Sequence, residues 1–200
     1  MNKKWLFLTL GLFALALANG CAQTTPTSTP KTATPTTQAT QVLPLPTPFA
    51  SGEQTTWQDL QIRMASAEIN TQFVTEFGSE RNPSPGQKFL WVHIYIKNTG
   101  KNEINLPASE HFSVLYTNSE LKPTYGHRQD YPDYMALTAP LYPAQGIDAW
   151  LRFDIPATAG LENLRFVFLP ESAQVGVKPS SPGYPWGGEH PVYVWECSKP

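Results

Sequence analysis

The stretch Phe89-Leu90-Trp91-Val92-His93-Ile94-Tyr95-Ile96 constrains the fold more than any other, because its aliphatic residues recur at every second position. Successive side chains of a β-strand point to opposite faces. Leu90, Val92, Ile94 and Ile96 therefore share one face, and Phe89, Trp91, His93 and Tyr95 share the other. A helix would scatter both sets around its circumference. Val92, Ile94 and Ile96 are expected in a core between two sheets, with Lys97 and the turn residues 98–100 exposed.

The same period returns along the chain. Leu60, Ile62 and Met64 alternate with Gln61 and Arg63. Ile147, Ala149, Leu151, Phe153 and Ile155 alternate with Asp148, Trp150, Arg152 and Asp154. Leu164, Phe166 and Phe168, and then Val192 and Val194, repeat the pattern. Phe112 to Tyr116 and Leu121 to Tyr125 flank the polar residues 117–120, which predicts a hairpin. Asn98-Thr99-Gly100 supplies turn chemistry, and Glu103 to Pro107 reads as a short partner strand behind it. Only Trp57-Gln58-Asp59 and the 157–162 segment could hold a turn of helix. Seven or eight short strands separated by Pro and Gly predict an all-β, immunoglobulin-like antiparallel β-sandwich over residues 51–200.

Upstream the composition changes. Lys3 and Lys4 precede an apolar run from Trp5 to Ala18, about 14 residues, too short to span a bilayer as a stable helix. The basic start and short apolar stretch fit a signal peptide over 1–20. Two cleavage sites compete: Ala16-Leu17-Ala18 suits ordinary secretion, and Leu17-Ala18-Asn19-Gly20-Cys21 resembles the lipobox of bacterial lipoproteins. The second accounts for a cysteine placed between an apolar run and a polar tether, and Cys21 is the predicted lipidation site. Several acyl chains there would anchor the protein stably, since each buried CH₂ contributes about 0.8 kcal/mol. Residues 21–50 form the tether. They are mostly Thr, Pro, Ala, Gln and Ser, too few of them apolar to offset the entropy of ordering. Fully extended, residues 22–48 would reach roughly 80 Å. The predicted location is extracytoplasmic, on a bacterial membrane, and the Thr-rich tether is a possible glycan carrier.

Charge and cysteine usage narrow the partners. The chain has 14 basic and 16 acidic residues, and losing Lys3 and Lys4 leaves a balance near −4. No basic cluster exists, so nucleic acid is not an expected partner. With Cys21 acylated, Cys197 is the remaining thiol, so neither an intrachain disulfide nor a cysteine metal cluster is expected.

The residues Gly86 to Gly100, a Gly, an aromatic, alternating aliphatics and then Lys-Asn-Thr-Gly, are similar to the opening strand of the telokin-like, immunoglobulin-type domains of bacterial lipoproteins. Phe112 to Tyr125 looks like the hairpin of those domains, Leu151 to Pro156 like their penultimate strand, and Leu164 to Phe168 like the strand after it. The resemblance covers about residues 57 to 170. It implies the fold and an envelope location, and no chemistry, because that domain type is largely of unknown function. Residues 171–200, with Gly183-Tyr184-Pro185-Trp186-Gly187-Gly188, depart from the pattern.

The sequence carries no nucleophile elbow, zinc-protease helix motif or phosphate loop, so no catalytic residue and no cofactor are assigned. His93 with His111 or His127 could form a metal site only through tertiary proximity, with Met64 and Met135 as further copper ligands. Calcium held by Asp130 and Asp133 is another alternative, without the spacing of a helix-loop-helix calcium site. The segment His127-Arg128-Gln129-Asp130-Tyr131-Pro132-Asp133-Tyr134-Met135 concentrates aromatics beside charges in a connection between strands. Such loops carry binding more often than sheets do, and Tyr and Arg make efficient anchors. Arg128, Tyr131 and Tyr134 are the predicted contacts to an envelope protein or a glycan, with a small-ligand or metal receptor as the alternative.

Overall fold

The structure is a computed structural model that describes residues 46–117, 119–170 and 191–198. The predicted signal peptide, Cys21, most of the tether and the segment 171–190 lie outside the described residues. The strands in chain order are β1 (Gln54–Trp57), β2 (Leu60–Asn70), β3 (Phe73–Val74), β4 (Glu80–Arg81), β5 (Gln87–Asn98), β6 (Phe112–Tyr116), β7 (Ser119–Leu121), β8 (Gly146–Pro156), β9 (Leu164–Phe168) and β10 (Tyr193–Glu196). Eight of them form two four-stranded sheets, ordered β1-β2-β5-β8 and β10-β9-β6-β7, and β3 and β4 form a separate ribbon. Every pairing between these strands is antiparallel. This is the immunoglobulin-like antiparallel β-sandwich that the period of two predicts.

The core lies between the sheets. Leu90, Val92, Ile94 and Ile96 of β5 and Ala149, Leu151, Phe153 and Ile155 of β8 meet Phe112, Val114, Leu164, Phe166, Phe168 and Trp195 from the second sheet. Each fully buried aliphatic or Phe side chain contributes about 1.5–3 kcal/mol relative to exposure. Phe112 stacks between Phe166 and Phe168, at ring-centroid distances of 5.7 and 4.9 Å. Phe49, just ahead of β1, pairs in parallel with Trp195, and their rings lie 5.5 Å apart, so the sandwich takes in a residue before the expected start at Ser51.

Strand β2 changes phase partway. Met64 pairs with Ile94 and Ser66 with His93, so Ala65 is an extra residue. The bulge resets which positions face inward, from Leu60, Ile62 and Met64 to Ala67 and Ile69.

Three local expectations are corrected. Residues 103–107 do not pair with β5; Ile104 instead makes one bridge to Leu141. The cause is Asn98, which is buried rather than exposed. Its Nδ2 donates to the carbonyls of Asn102 (2.7 Å) and Leu141 (2.9 Å), and its Oδ1 accepts from the Gly100 N–H (2.8 Å). These bonds turn the chain away from its own sheet. The hairpin after Phe112 is tighter than expected, with β7 at Ser119–Leu121 and Thr117 at a positive φ of 51°. Trp57 ends a strand instead of starting a helical turn, and β1 and β2 are joined through Gln58 at φ 52°.

Candidate functional site

The outward face of the first sheet carries a lattice of polar and aromatic side chains set by strand register. Glu68, Trp91 and Arg152 stand side by side across β2, β5 and β8. Ser66, His93 and Trp150 form the next row, and Arg63, Tyr95 and Asp148 the one after. The chain between β7 and β8 then folds over this lattice.

Its attachment starts at two points on β8. The Thr124 N–H donates to the Arg152 carbonyl (2.7 Å), and the Trp150 N–H donates to the Pro132 carbonyl (2.9 Å). Between them Gly126 sits where a side chain would not fit: a Cβ there would lie 2.7 Å from Arg152 Cδ and 3.0 Å from the Trp91 ring. Asp133 closes the loop. Its buried carboxylate accepts from the Gly126 N–H and from the Met135 N–H, the latter at 2.6 Å. Burial pushes the Asp133 carboxyl above its ordinary value, while the two N–H donors and the nearby Arg152 and His127 pull the other way.

The loop therefore delivers its side chains in fixed places. The Arg128 guanidinium lies 4.5 Å from the Trp150 ring centre and 5.3 Å from that of Trp91. It is paired with Glu68 and stands 3.4 Å from Asp130. Asp130 also accepts from the Trp150 indole N–H at 2.9 Å. Tyr131 stacks on His93, with ring centres 4.4 Å apart and planes within 16°. His93 in turn contacts Asp148 Oδ1 through Nε2 at 2.9 Å. Tyr131 keeps 37% of its surface exposed.

Tyr134 is different. It is only 3% exposed, packs edge-on against Phe112 at 5.2 Å, and donates its hydroxyl to the Pro107 carbonyl at 2.6 Å. The expectation that it offers itself to a partner is corrected: it belongs to the core. Burial in that apolar setting raises its phenol well above the ordinary range.

The ribbon β3–β4 forms the far wall. Phe73 packs edge-on against Phe89 (5.2 Å) and Trp91 (5.0 Å), which fixes the ribbon to the lattice. The hairpin tip is closed by the Gly78 N–H donating to the Thr75 carbonyl (2.9 Å), with Gly78 at φ +76°, a conformation that favours glycine. Phe77 stands at this tip with 86% of its surface exposed. His127 Nε2 meets Glu76 Oε2 at 2.8 Å and joins loop to ribbon.

Two grooves result. One, about 350 Å³, runs past Asn70, Gln72, Val74, Arg128 and Asp130. The other, about 240 Å³, is lined by Phe77, Arg81, Tyr125, His127 and Arg152, with Phe73 and Glu76 among its walls. Tyr125 is 57% exposed there. Sequence reasoning missed Phe77, Arg81 and Tyr125. The signals were an aromatic beside Gly78 in an otherwise polar segment and another beside Gly126.

The chemistry on offer is stacking and ion pairing. Ser66 faces His93 across the strands, yet no hydrogen bond joins them among the described residues. His93, His127 and His111 have separate partners, the last bonded to the Leu169 carbonyl at 3.0 Å. No group of three or more metal-ligating side chains occurs among the described residues. The calcium alternative is corrected, since Asp133 is occupied by backbone N–H groups and Asp130 by Trp150 and Arg128.

Residues 49–173, which include both sheets' main strands and the whole of this outer lattice, match the model of DUF4352, a domain of unknown function. The chain belongs to that family. No curated protein matches it in sequence. Among solved structures, the DUF4352 sandwich is similar to the yjhA protein from Bacillus subtilis, at 13% identity and a TM-score of 0.49, over 72% of this chain and 96% of that one. An uncharacterized β-sandwich protein from Clostridium difficile 630 gives 12% identity and a TM-score of 0.45, over 76% and 95%. A Bacillus subtilis protein provisionally described as a lipoprotein, ycdA, gives 14% identity and a TM-score of 0.40, over 72% of this chain. This chain spans 38% of the length of that protein. The relation shown is membership of DUF4352, a domain of unknown function, which is coarser than the telokin-like one.

Proposed function

We propose that this DUF4352 protein is an extracytoplasmic lipoprotein, anchored through acyl chains on Cys21, whose sandwich is a non-catalytic binding module for an envelope protein or glycan. The telokin-like resemblance of residues 86–100 belongs to the same proposal. The anchor rests on the apolar run and lipobox-like residues that end at Cys21. The binding role rests on one observation: Phe77 and Tyr125, both largely exposed, line the same groove as Arg81, His127 and Arg152. Exposed aromatics are costly to leave in water, and a set of them rimmed by charges marks a contact surface more often than a packing error. Tyr131 and Arg128 extend that surface along the loop.

The anchor is tested by mass spectrometry of the mature N-terminus and by detergent partitioning of the wild type and Cys21→Ser. An acylated Cys21, and transfer of the variant out of the detergent phase or a block in its maturation, are expected; an unmodified start at Asn19 would overturn the anchor. The binding role is tested by crosslinking on intact cells. The Phe77→Ala/Tyr125→Ala double variant should lose crosslinked envelope material at unchanged melting temperature. Equal crosslinking by the two proteins would move the binding surface elsewhere.

A further inference from the structure

We infer that the groove between the β3–β4 ribbon and Tyr125–His127 takes a carboxylate-bearing saccharide. The inference rests on the binding role proposed above and names its ligand class.

The groove has two kinds of wall. Phe77 and Tyr125 supply exposed ring surface. The negative face of an aromatic ring attracts positively polarised C–H groups, and one face of a pyranose is a row of them. The second kind is cationic. Arg81, on β4, is exposed, and its side chain makes no hydrogen bond or ion pair among the described residues. Arg152 is held from beneath. Its Nε and Nη2 donate to Thr124 Oγ1 at 3.1 and 2.9 Å, and its guanidinium lies 5.1 Å from the Phe89 ring centre. Its Nη2 also stands 3.7 Å from Asp154 Oδ2, so this cation already has a carboxylate beside it, while Nη1 makes no hydrogen bond among the described residues. A guanidinium recognises a carboxylate through two parallel N–H···O bonds, which a neutral sugar cannot accept with equal strength. The one carboxylate lining the groove, Glu76, is engaged by His127. Arg152 and His127 are thus each paired with a carboxylate, Asp154 and Glu76, and Arg81 is the groove cation left without one among the described residues, the place for a ligand's anion.

A saccharide fits better than an acidic peptide. A peptide that adds to a sheet docks by pairing its backbone with a strand edge, and one read by charge needs a cluster of arginines. The ribbon here offers only two residues per strand, Phe73–Val74 and Glu80–Arg81. The recognition groups of this groove are side-chain rings and guanidiniums, not a run of backbone donors and acceptors. The volume of about 240 Å³ suits one or two sugar rings rather than a folded partner.

The test uses the full-length protein in detergent and three probes: polygalacturonate, a polymer of carboxylated pyranoses; its methyl ester, with the same rings uncharged; and poly-L-glutamate, carboxylates without rings. Retardation in native gels containing each polymer, followed by calorimetric titration, gives the affinity. Binding to polygalacturonate is expected to exceed binding to the ester and to polyglutamate by on the order of tenfold or more. It should weaken as salt screens the guanidinium–carboxylate attraction. Arg81→Gln and Phe77→Ala should each reduce it on the order of tenfold. Both positions are exposed, so an unchanged melting temperature separates lost binding from lost fold. Equal binding to the ester removes the charge argument and overturns the inference. Preference for polyglutamate assigns the groove to peptides and overturns it as well. No retention by polygalacturonate also overturns it. If the crosslinks lost in the Phe77→Ala/Tyr125→Ala variant persist in the wild type, the binding role then stands while the ligand class falls.

Discussion

The two faces of β5 are built from the same twelve residues and held by opposite means. Its inner face is aliphatic, sealed by the second sheet, and stabilised by removal of surface from water. Its outer face is aromatic and polar, covered by a loop and a ribbon, and stabilised by oriented contacts: Arg128 over Trp150 and Trp91, Tyr131 on His93, Phe73 edge-on to Phe89 and Trp91. Non-directional burial leaves no gaps. Directional stacking holds a loop away from the sheet at defined heights, and the spaces beside it become grooves. The grooves lie on the outer face, beside a smaller buried cluster of Phe73, Phe89, Trp91 and Trp150.

The largest effect should come from the inner face. Ile94→Ala removes a fully buried side chain. It should cost roughly 2–5 kcal/mol in urea unfolding. A loss below about 1 kcal/mol with the fold intact would erase the distinction between the faces.

Asp133 is the hinge between the two regimes. Asp133→Ala leaves the Gly126 and Met135 N–H groups without their acceptor. It should cost about 1–3 kcal/mol and loosen both grooves, visible as faster hydrogen exchange over 125–135. The acid side of the same residue sharpens this. Burial raises the native carboxyl above its ordinary 3.8, so the native state binds that proton more tightly than the unfolded chain does. Its contribution is most favourable in acid and declines as pH rises from 3.8 through the native value. The stability of the wild type relative to Asp133→Asn should fall across that window; a rise would mean that the N–H donors outweigh burial.

Arg128→Ala should cost about 0.5–2 kcal/mol, because it removes a cation from two indoles. Arg128→Lys should restore only part of this, since an ammonium cannot lie flat on the rings. Tyr131→Ala should have the smallest effect, about 0.5–1 kcal/mol, confined to its stack on His93. A larger loss would make the loop a structural element of the sandwich rather than a surface mounted on it.

These magnitudes follow how legible each region was in the sequence. The inner face is written as a period of two, and β5, β8 and β9 fall where that period places them. The period fails at Ala65, because a bulge shifts phase without changing residue type. It fails at 103–107, where the side chain of Asn98 captures carbonyls from two directions. The site was legible as a loop rich in Tyr and Arg, and not as a groove. Nothing local shows that Tyr131 rests on a histidine while Tyr134, three residues on, is buried against Phe112. The partner wall is supplied by Phe77 and Arg81, some fifty residues earlier in the chain.

The bridges at Thr124, Asp133 and Phe49 have a bearing on crowding. Thr124 and Asp133 lie along β8, and Phe49 lies along β10 with hydrogen bonds to Val194 and Glu196. Each bridge interrupts the unpaired row of the outer strand it meets, at Arg152 and Trp150 of β8 and at Trp195 of β10. Among the described residues, the other outer strands of the two four-stranded sheets, β1 and β7, have four and three residues. Sheet-to-sheet zipping needs a long unpaired row of backbone groups, and these are short. Among the described residues the sheet edges therefore offer another molecule's strand only short unpaired rows to pair with.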